Sequence, residues 1–277
     1  MFKIKSFAVV GGDKRQVYCG RSISEDGFNV FLCGLEKSGA ANIKIEEGIK
    51  KSDAVILPVP CSRDGVFLNT PLSDKMIRLD ELYSMLKEKP LFCGMSEKLP
   101  FRGDMIFDYA KREEFAVENA VPTSEGAIEI AMRESDGTIN GSKCLVAGFG
   151  RIGRVLSSQL KGLGADVTVS ARSLKDISFI RAAGMKAISS YNIEGSYELI
   201  FNTVPHLIFD AQTLARVGSG AVAIDLASMP GGIDFEAAER LSIKAIHALS
   251  LPGKAAPKAS GIIIKNAVYN IIREERL

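Results

Sequence analysis

Three glycines and the residues around them carry the plainest chemistry in this chain. In KCLVAGFGRIGRVLSSQLKGLGADVTVSAR, Lys143 to Arg172, the glycines Gly148, Gly150 and Gly153 stand at GxGxxG spacing. A short apolar run, Cys144 to Ala147, leads into them. Val155, Leu156, Leu160 and Leu163 follow on one helical face, and a second strand-like run comes after. A strand–turn–helix–strand unit of this kind binds the pyrophosphate of a dinucleotide. The first glycine allows the tight turn, the second lets backbone approach the anion, and the third lets helix and strand pack closely. Arg151 and Ile152 lie inside that turn and join the expected cofactor contacts. The alternative is a glycine-rich turn that binds nothing.

The end of the second strand bears on which dinucleotide. An NAD site places Asp or Glu about 20 residues past the first glycine to accept the ribose hydroxyls. Here the chain reads Ser170, Ala171, Arg172, Ser173, Leu174, Lys175. With no acid in that stretch, Arg172 offers a fork of donors to a 2′-phosphate, Ser173 a hydroxyl and Lys175 a second charge. NADP is the expected cofactor; the alternative is an NAD site with incidental basic residues.

Three further segments follow strand-like runs and are expected to face the nicotinamide: Asn202 to His206 (NTVPH), Asp225 to Gly232 (DLASMPGG) and Leu251 to Lys258 (LPGKAAPK). Thr203, Val204, Pro205, Asp225 and Ala227 are the cofactor contacts expected there. His206 is the candidate general base, since an imidazole titrates near neutral pH; the alternative is a solvated histidine beside a proline.

These residues need a scaffold, and the chain has the length for two domains. At 277 residues with 46% hydrophobic content it can bury a large core. The 35 Lys and Arg are interspersed with 33 Asp and Glu, which argues against a nucleic-acid footprint. No stretch reaches membrane-spanning length, and the opening apolar run is too short for a signal-peptide core. Five widely spaced cysteines without a CxxC pair, and two histidines, speak for buried thiols in a reducing cytoplasm and against a zinc or other metal site.

In chain order, strands are expected at Ile4 to Val10, Asn29 to Cys33, Ala54 to Val59, Leu91 to Gly94 and Phe115 to Glu118, with helix between, as at Asp80 to Lys87. The first ends in GGDKRQ, a dinucleotide-type opening without the third glycine and with Asp13 where a phosphate would sit. A helix N-capped by Thr123 or Ser124 is expected to begin the second domain and point its N-terminus at the ligand. Six strands then make the cofactor sheet: Cys144 to Ala147, the run before Arg172, Ala187 and Ile188, Glu198 to Thr203, Ala221 to Asp225, and Ile243 to Ala248. A final amphipathic helix, Ala259 to Ile272, is expected to return to the first domain. The fold class is therefore α/β, with two Rossmann-like domains built on parallel sheets. The boundaries are 1–122 for a substrate domain, 123–256 for the NADP domain and 257–277 for the returning helix.

The motifs GGDKRQ, ILPVP, NAVPTSEGAI, TINGSKCLVAGFGRIG, SAR, FNTVP, IDLASMPGGIDF and LPGKAAPKASG occur in the order found in the A subunit of bacterial dipicolinate synthase, and the chain resembles that family from about Val9 to Ile272. The resemblance implies oxidation of a cyclic dicarboxylate of the lysine pathway, dihydrodipicolinate or its hydrated form, to dipicolinate for endospores. It implies work in the mother-cell cytoplasm together with the synthase's flavoprotein-like B subunit, and a homo-oligomer is expected. Two carboxylates on the substrate ring call for cations and N–H groups. Arg15 and Lys14 are placed there, with Lys254, Thr123 and Ser124; the alternative for Arg15 is a surface residue beside an N-capping Asp13. Rival readings are an NADP-dependent 2-hydroxyacid or amino-acid dehydrogenase, and a non-catalytic nucleotide-sensing protein.

Overall fold

Consecutive apolar residues in short strands require a sheet covered on both faces. In β1 (Ser6–Val10), Phe7 and Val9 enter one core layer while Ala8 and Val10 enter the other. The computed structural model describes residues 4–86 and 89–277. The chain divides into two compact units, Met1–Asn119 together with Ala256–Leu277, and Ala120–Ala255.

After β1 the first unit continues with α1 (Lys14–Glu25), β2 (Asn29–Cys33), α2 (Ile45–Lys51), β3 (Ala54–Ile56), α3 (Leu79–Leu86), β4 (Leu91–Cys93) and β5 (Ile106–Asp108). Its five strands pair in the order β2-β1-β3-β4-β5, every pair parallel. Lys87, expected at the end of the α3 helix, lies outside the described residues.

The strand expected at Phe115 to Glu118 is instead helix. α4 (Glu113–Glu134) runs through 22 residues with Pro122 inside it. A proline removes one backbone donor and clashes with the preceding turn, so Pro122 reads from sequence as a boundary. Here it is buried and the helix continues past it, with Ser124 Oγ donating to Ala120 O at 2.8 Å. The N-cap expected at Thr123 or Ser124 is therefore corrected: both are buried in the helix interior.

The second unit continues with β6 (Lys143–Ala147), α5 (Arg151–Gly162), β7 (Asp166–Ala171), α6 (Leu174–Ala182), β8 (Lys186–Ser189), β9 (Leu199–Asn202), α7 (Ala211–Arg216), β10 (Val222–Asp225), α8 (Phe235–Arg240), β11 (Lys244–His247) and α9 (Leu251–Ala255). The six strands form one parallel sheet in the order β11-β10-β9-β6-β7-β8. The order reverses at β6, so the β6–α5 turn opens at the carboxyl edge where doubly wound sheets take ligands. α9 packs on α4 at Gly126, where an added Cβ would lie 3.1 Å from Ala255 Cβ and Leu251 Cβ.

α10 (Pro257–Glu274) packs on α1 in the first unit, as expected of the returning helix. Gly261 permits the close approach, since a Cβ there would stand 2.5 Å from Arg15 O. Polar ties fix the helix at both sides. Lys265 Nζ and Tyr269 Oη donate to Asp26 Oδ2 at 2.8 and 3.1 Å, and Arg112 forks onto Glu274 with two 2.7 Å bonds.

Candidate dinucleotide site

Each glycine of the β6–α5 turn has a separate reason in the structure. Gly148 takes φ +96°, a left-handed conformation that favours glycine, and a Cβ there would meet Thr203 Oγ1 at 2.5 Å. Gly153 packs so closely that a Cβ would fall 2.1 Å from Gly148 O. Gly150 is different. Its φ of −78° and ψ of −160° suit any residue, and a Cβ would meet nothing within 4 Å. The open space above Gly150 is where a closely approaching ligand would sit. Gly150 is also the N-cap of α5, with no side-chain cap and no acid in the first turn. An uncapped twelve-residue helix presents donors and the positive end of its dipole to an anion. The residues present fit a dinucleotide pyrophosphate, with Arg151, Ile152 and Gly153 forming the first turn.

The equivalent turn in the first unit is already filled by its own carboxylate. Asp13 caps α1, accepting from Arg15 N at 2.9 Å, while Gln16 completes a capping box. The Arg15 side chain, nearly buried, folds back on the same carboxylate at 2.9 to 3.2 Å and donates from Nη2 to Val59 O at 2.7 Å. Much of the guanidinium proposed for a substrate carboxylate is thus engaged within the protein. Lys14 is exposed and has no ion pair among the described residues.

At the end of β7, Arg172 and Lys175 are exposed and without ion pairs among the described residues. Ser173 caps α6: its Oγ accepts from Asp176 N at 3.0 Å and donates to Asp176 Oδ2 at 2.7 Å. No acid lies in the stretch through Lys175, but just beyond it the first turn of α6 folds Asp176 back onto Ser173. Arg154, over the Phe149 ring, pairs with Asp176 at 3.2 Å. Three cations (Arg154, Arg172, Lys175) therefore stand against one carboxylate, and the site keeps a positive balance.

Thr203 and Val204 come against the glycine turn: Thr203 Oγ1 donates to Ala147 O at 2.8 Å, and Val204 Cγ2 lies 3.0 Å from the Gly148 Cβ position. Pro205 and His206 are exposed, and no carboxylate pairs with the His206 imidazole among the described residues. Asp225, expected as a cofactor contact, is fully buried, and protein donors occupy both oxygens. Asn202 Nδ2 donates at 2.7 Å, Ala227 N at 3.1 Å and Gly232 N at 2.8 Å. Its carboxylate shapes the 226–232 loop, including Ala227, from behind. Lys254, in α9, is exposed and has no ion pair among the described residues.

Sequence reasoning missed one residue in this row. Strand pairing sets Asn202, Asp225 and His247 side by side at the carboxyl ends of β9, β10 and β11. His247 Nε2 is buried with no hydrogen-bond partner, beside the Phe235 ring. The signal was available only through the register, since His247 lies 22 positions beyond Asp225 in the chain. The cysteines are all buried, and burial pushes the thiols of Cys19 and Cys33 up to about 12 and that of Cys144 up to about 11. Those three stay protonated at neutral pH and offer no thiolate. No helix among the described residues is long and apolar enough to cross a membrane.

Two doubly wound α/β units, one with an uncapped glycine turn at its sheet reversal, define a two-unit Rossmann-like fold. The D-lactate dehydrogenase of Salmonella shares this fold at a TM-score of 0.62 and 14% identity, covering 98% of this chain and 97% of that one. Closer relatives narrow the class. The family described as the N-terminal domain of the dipicolinate synthase A subunit matches residues 6–99. The A subunit of dipicolinate synthase from Bacillus subtilis strain 168 is 31% identical over 283 residues, covering 96% of this chain and 95% of the relative. The crystal structure of the same subunit from Bacillus halodurans matches with a TM-score of 0.84 at 29% identity, over 97% of each chain. The chain belongs to the family of dipicolinate synthase A subunits.

Proposed function

We propose that this chain oxidises a cyclic six-membered nitrogen dicarboxylate, dihydrodipicolinate or its hydrated form, to dipicolinate with NADP⁺ as acceptor. Family membership supports the substrate class, and the uncapped turn with open space at Gly150 is the observation that carries the cofactor reading. When bound, the nicotinamide accepts a hydride from a ring carbon. Gaining an aromatic ring supplies driving force that belongs to the substrate, so the protein has mainly to align the rings and keep water out.

The residues divide that work. Backbone N–H groups at the start of α5 hold the pyrophosphate, and Arg172 with Lys175 takes the 2′-phosphate. Exposed Lys14 and Lys254, with what remains of the Arg15 fork, supply positive charge for the substrate carboxylates. His206, solvated and unsupported, passes a proton to water rather than through a buried relay. A second polypeptide assembles with this chain, a reading supported by the naming of its relatives as one subunit of a synthase; the family resemblance makes that partner flavoprotein-like.

Cofactor choice is tested by titrating NADP⁺ and NAD⁺ into wild type and into Arg172→Ala/Lys175→Ala. One charge-assisted bond is worth about 1.5 to 3 kcal/mol, so wild type is expected to prefer NADP⁺ by roughly tenfold or more. The double variant should lose most of that preference and keep its NAD⁺ affinity. Equal wild-type affinities at moderate salt would overturn the NADP reading.

A further inference from the structure

The first unit immobilises a guanidinium and leaves one of its corners open. Asp13 is itself held first: its Oδ1 accepts from Arg15 N at 2.9 Å as the cap of α1, and its own N–H donates to Gln16 Oε1 at 3.2 Å. The carboxylate then takes one edge of the Arg15 side chain. Nε donates to Oδ1 at 3.0 Å and to Oδ2 at 3.2 Å, and Nη2 donates to Oδ2 at 2.9 Å. Nη2 also donates to Val59 O at 2.7 Å. That carbonyl sits in a tethered loop, since Gly94 N donates to Pro58 O at 3.1 Å and Cys61 N to Gly94 O at 2.9 Å, which ties residues 58–61 to the end of β4. Nη1 donates to nothing among the described residues and is not closed off from solvent. Arg15 as a whole is only 9% exposed. Polar groups so enclosed are normally satisfied, so the free donors of an immobilised guanidinium mark a place kept for an acceptor.

We propose that Asp13 is a positioning residue for the substrate: it aims Arg15 so that only the Nη1 N–H groups face a ring carboxylate. The inference rests on the reading that Arg15 meets the substrate. Charge alone does not explain the arrangement, because Asp13 offsets the positive charge of the group it holds. What Asp13 supplies is direction. With the Nε–Nη2 edge spent on Asp13 and Val59 O, a carboxylate is taken at Nη1 alone, from the one side that the α1 cap and the 58–61 loop leave free. The long side chain is ordered when the protein folds, so little of its freedom remains to be lost when the ligand arrives. A lysine at position 15 would not do the same. Its ammonium is a point charge without a fork, and Asp13 and Val59 O would hold it inward.

Calorimetric titration of dipicolinate into the full chain with NADP⁺ present, at about 0.15 M salt so that exposed charge is screened, tests it. The proteins compared are wild type, Asp13→Asn, Arg15→Ala, Arg15→Lys and the double variant Asp13→Asn/Arg15→Ala. Asparagine keeps the cap of α1 but cannot accept from both Nε and Nη2, so it frees the fork without undoing the helix. Arg15→Ala is expected to weaken dipicolinate by about tenfold or more, and Arg15→Lys nearly as much. Asp13→Asn should weaken it by about fivefold or more even though it removes a negative charge. In the Arg15→Ala background it should add nothing, because Asp13 acts only through Arg15. NADP⁺ affinity should stay at the wild-type value throughout. Wild-type affinity in Arg15→Ala, or a wild type that does not bind dipicolinate, would overturn the reading that Arg15 meets the substrate and this inference with it. Where Arg15→Ala does weaken binding, wild-type affinity in Asp13→Asn or in Arg15→Lys would overturn the inference alone. So would a loss from Asp13→Asn that persists in the double variant, the mark of a merely structural residue.

Discussion

Gly150→Ala separates a ligand's space from the protein's own packing. The Gly150 backbone angles are open to alanine, and the added methyl would meet no protein atom within 4 Å. Alanine is a poorer N-cap than glycine by up to about 1 kcal/mol. It also restricts the unfolded chain, which returns about 0.4 to 1 kcal/mol. The two nearly cancel, so thermal and urea unfolding should match wild type within about 1 kcal/mol. Nucleotide binding should not survive as well. A methyl in the pyrophosphate's place costs the charge-assisted bonds of the first turn, about 1.5 to 3 kcal/mol each, and losing two of them is more than about a hundredfold in affinity. Gly153→Ala is the control with the opposite signature. Its methyl would collide with Gly148 O at 2.1 Å, so it should destabilise the fold by about 1 to 3 kcal/mol as well as weaken binding. Calorimetric titration with NADP⁺ and chemical unfolding of both variants check this. A Gly150→Ala protein that binds as tightly as wild type would refute the placement of the pyrophosphate.

Two further expectations concern the first unit. Gly261→Ala puts a methyl 2.5 Å from Arg15 O and 2.7 Å from Cys19 N, backbone that cannot swing aside, so urea unfolding should show a loss of about 1 to 3 kcal/mol. The hydrogen bond from Lys265, with a second from Tyr269, holds the Asp26 carboxyl below the usual range. A depressed folded pKa gives stability that is present above the unfolded value, about 3.9, and is lost as pH falls through the folded value. Asp26→Asn should therefore cost about 0.5 to 1 kcal/mol at neutral pH, a small figure because the pair is partly exposed, and should converge with wild type in unfolding at pH 3. A constant difference between the two proteins from pH 7 to pH 3 would remove Asp26 from this role.

Local signals carried the cofactor unit and the returning helix. Gly148, Gly150 and Gly153 sit between a strand and an amphipathic helix, and each performs a distinct steric task that spacing alone suggests. The apolar residues Ile262, Ile263, Val268, Ile271 and Ile272 were readable as the α10 stripe; four of them are buried, Ile262 is half-buried, and Ile264 joins the buried face in its place. Legibility failed where tertiary packing overrides a local rule. Pro122 looks like a boundary, yet burial keeps α4 continuous through it. Phe115 to Glu118 is a short, mostly apolar run that reads as a strand, while the real edge strand, Ile106–Asp108, has only three residues. Asp176 lies one residue beyond the stretch read for cofactor choice, and only the capping of α6 brings it back onto Ser173. The Asn202, Asp225 and His247 row exists only through strand register, which no single window contains.

The central claim is that this chain transfers a hydride from a cyclic dicarboxylate to NADP⁺. The most direct measurement mixes the purified protein with the lysine-pathway cyclic intermediate and NADP⁺ or NAD⁺, with and without the synthase's other polypeptide, and follows both the reduced nicotinamide and the pyridine dicarboxylate. The account predicts one reduced nicotinamide for each dipicolinate formed, faster with NADP⁺ than with NAD⁺ and slowed by Gly150→Ala. Dipicolinate formed without nicotinamide reduction, or nucleotide bound with no turnover under any of these conditions, would contradict it.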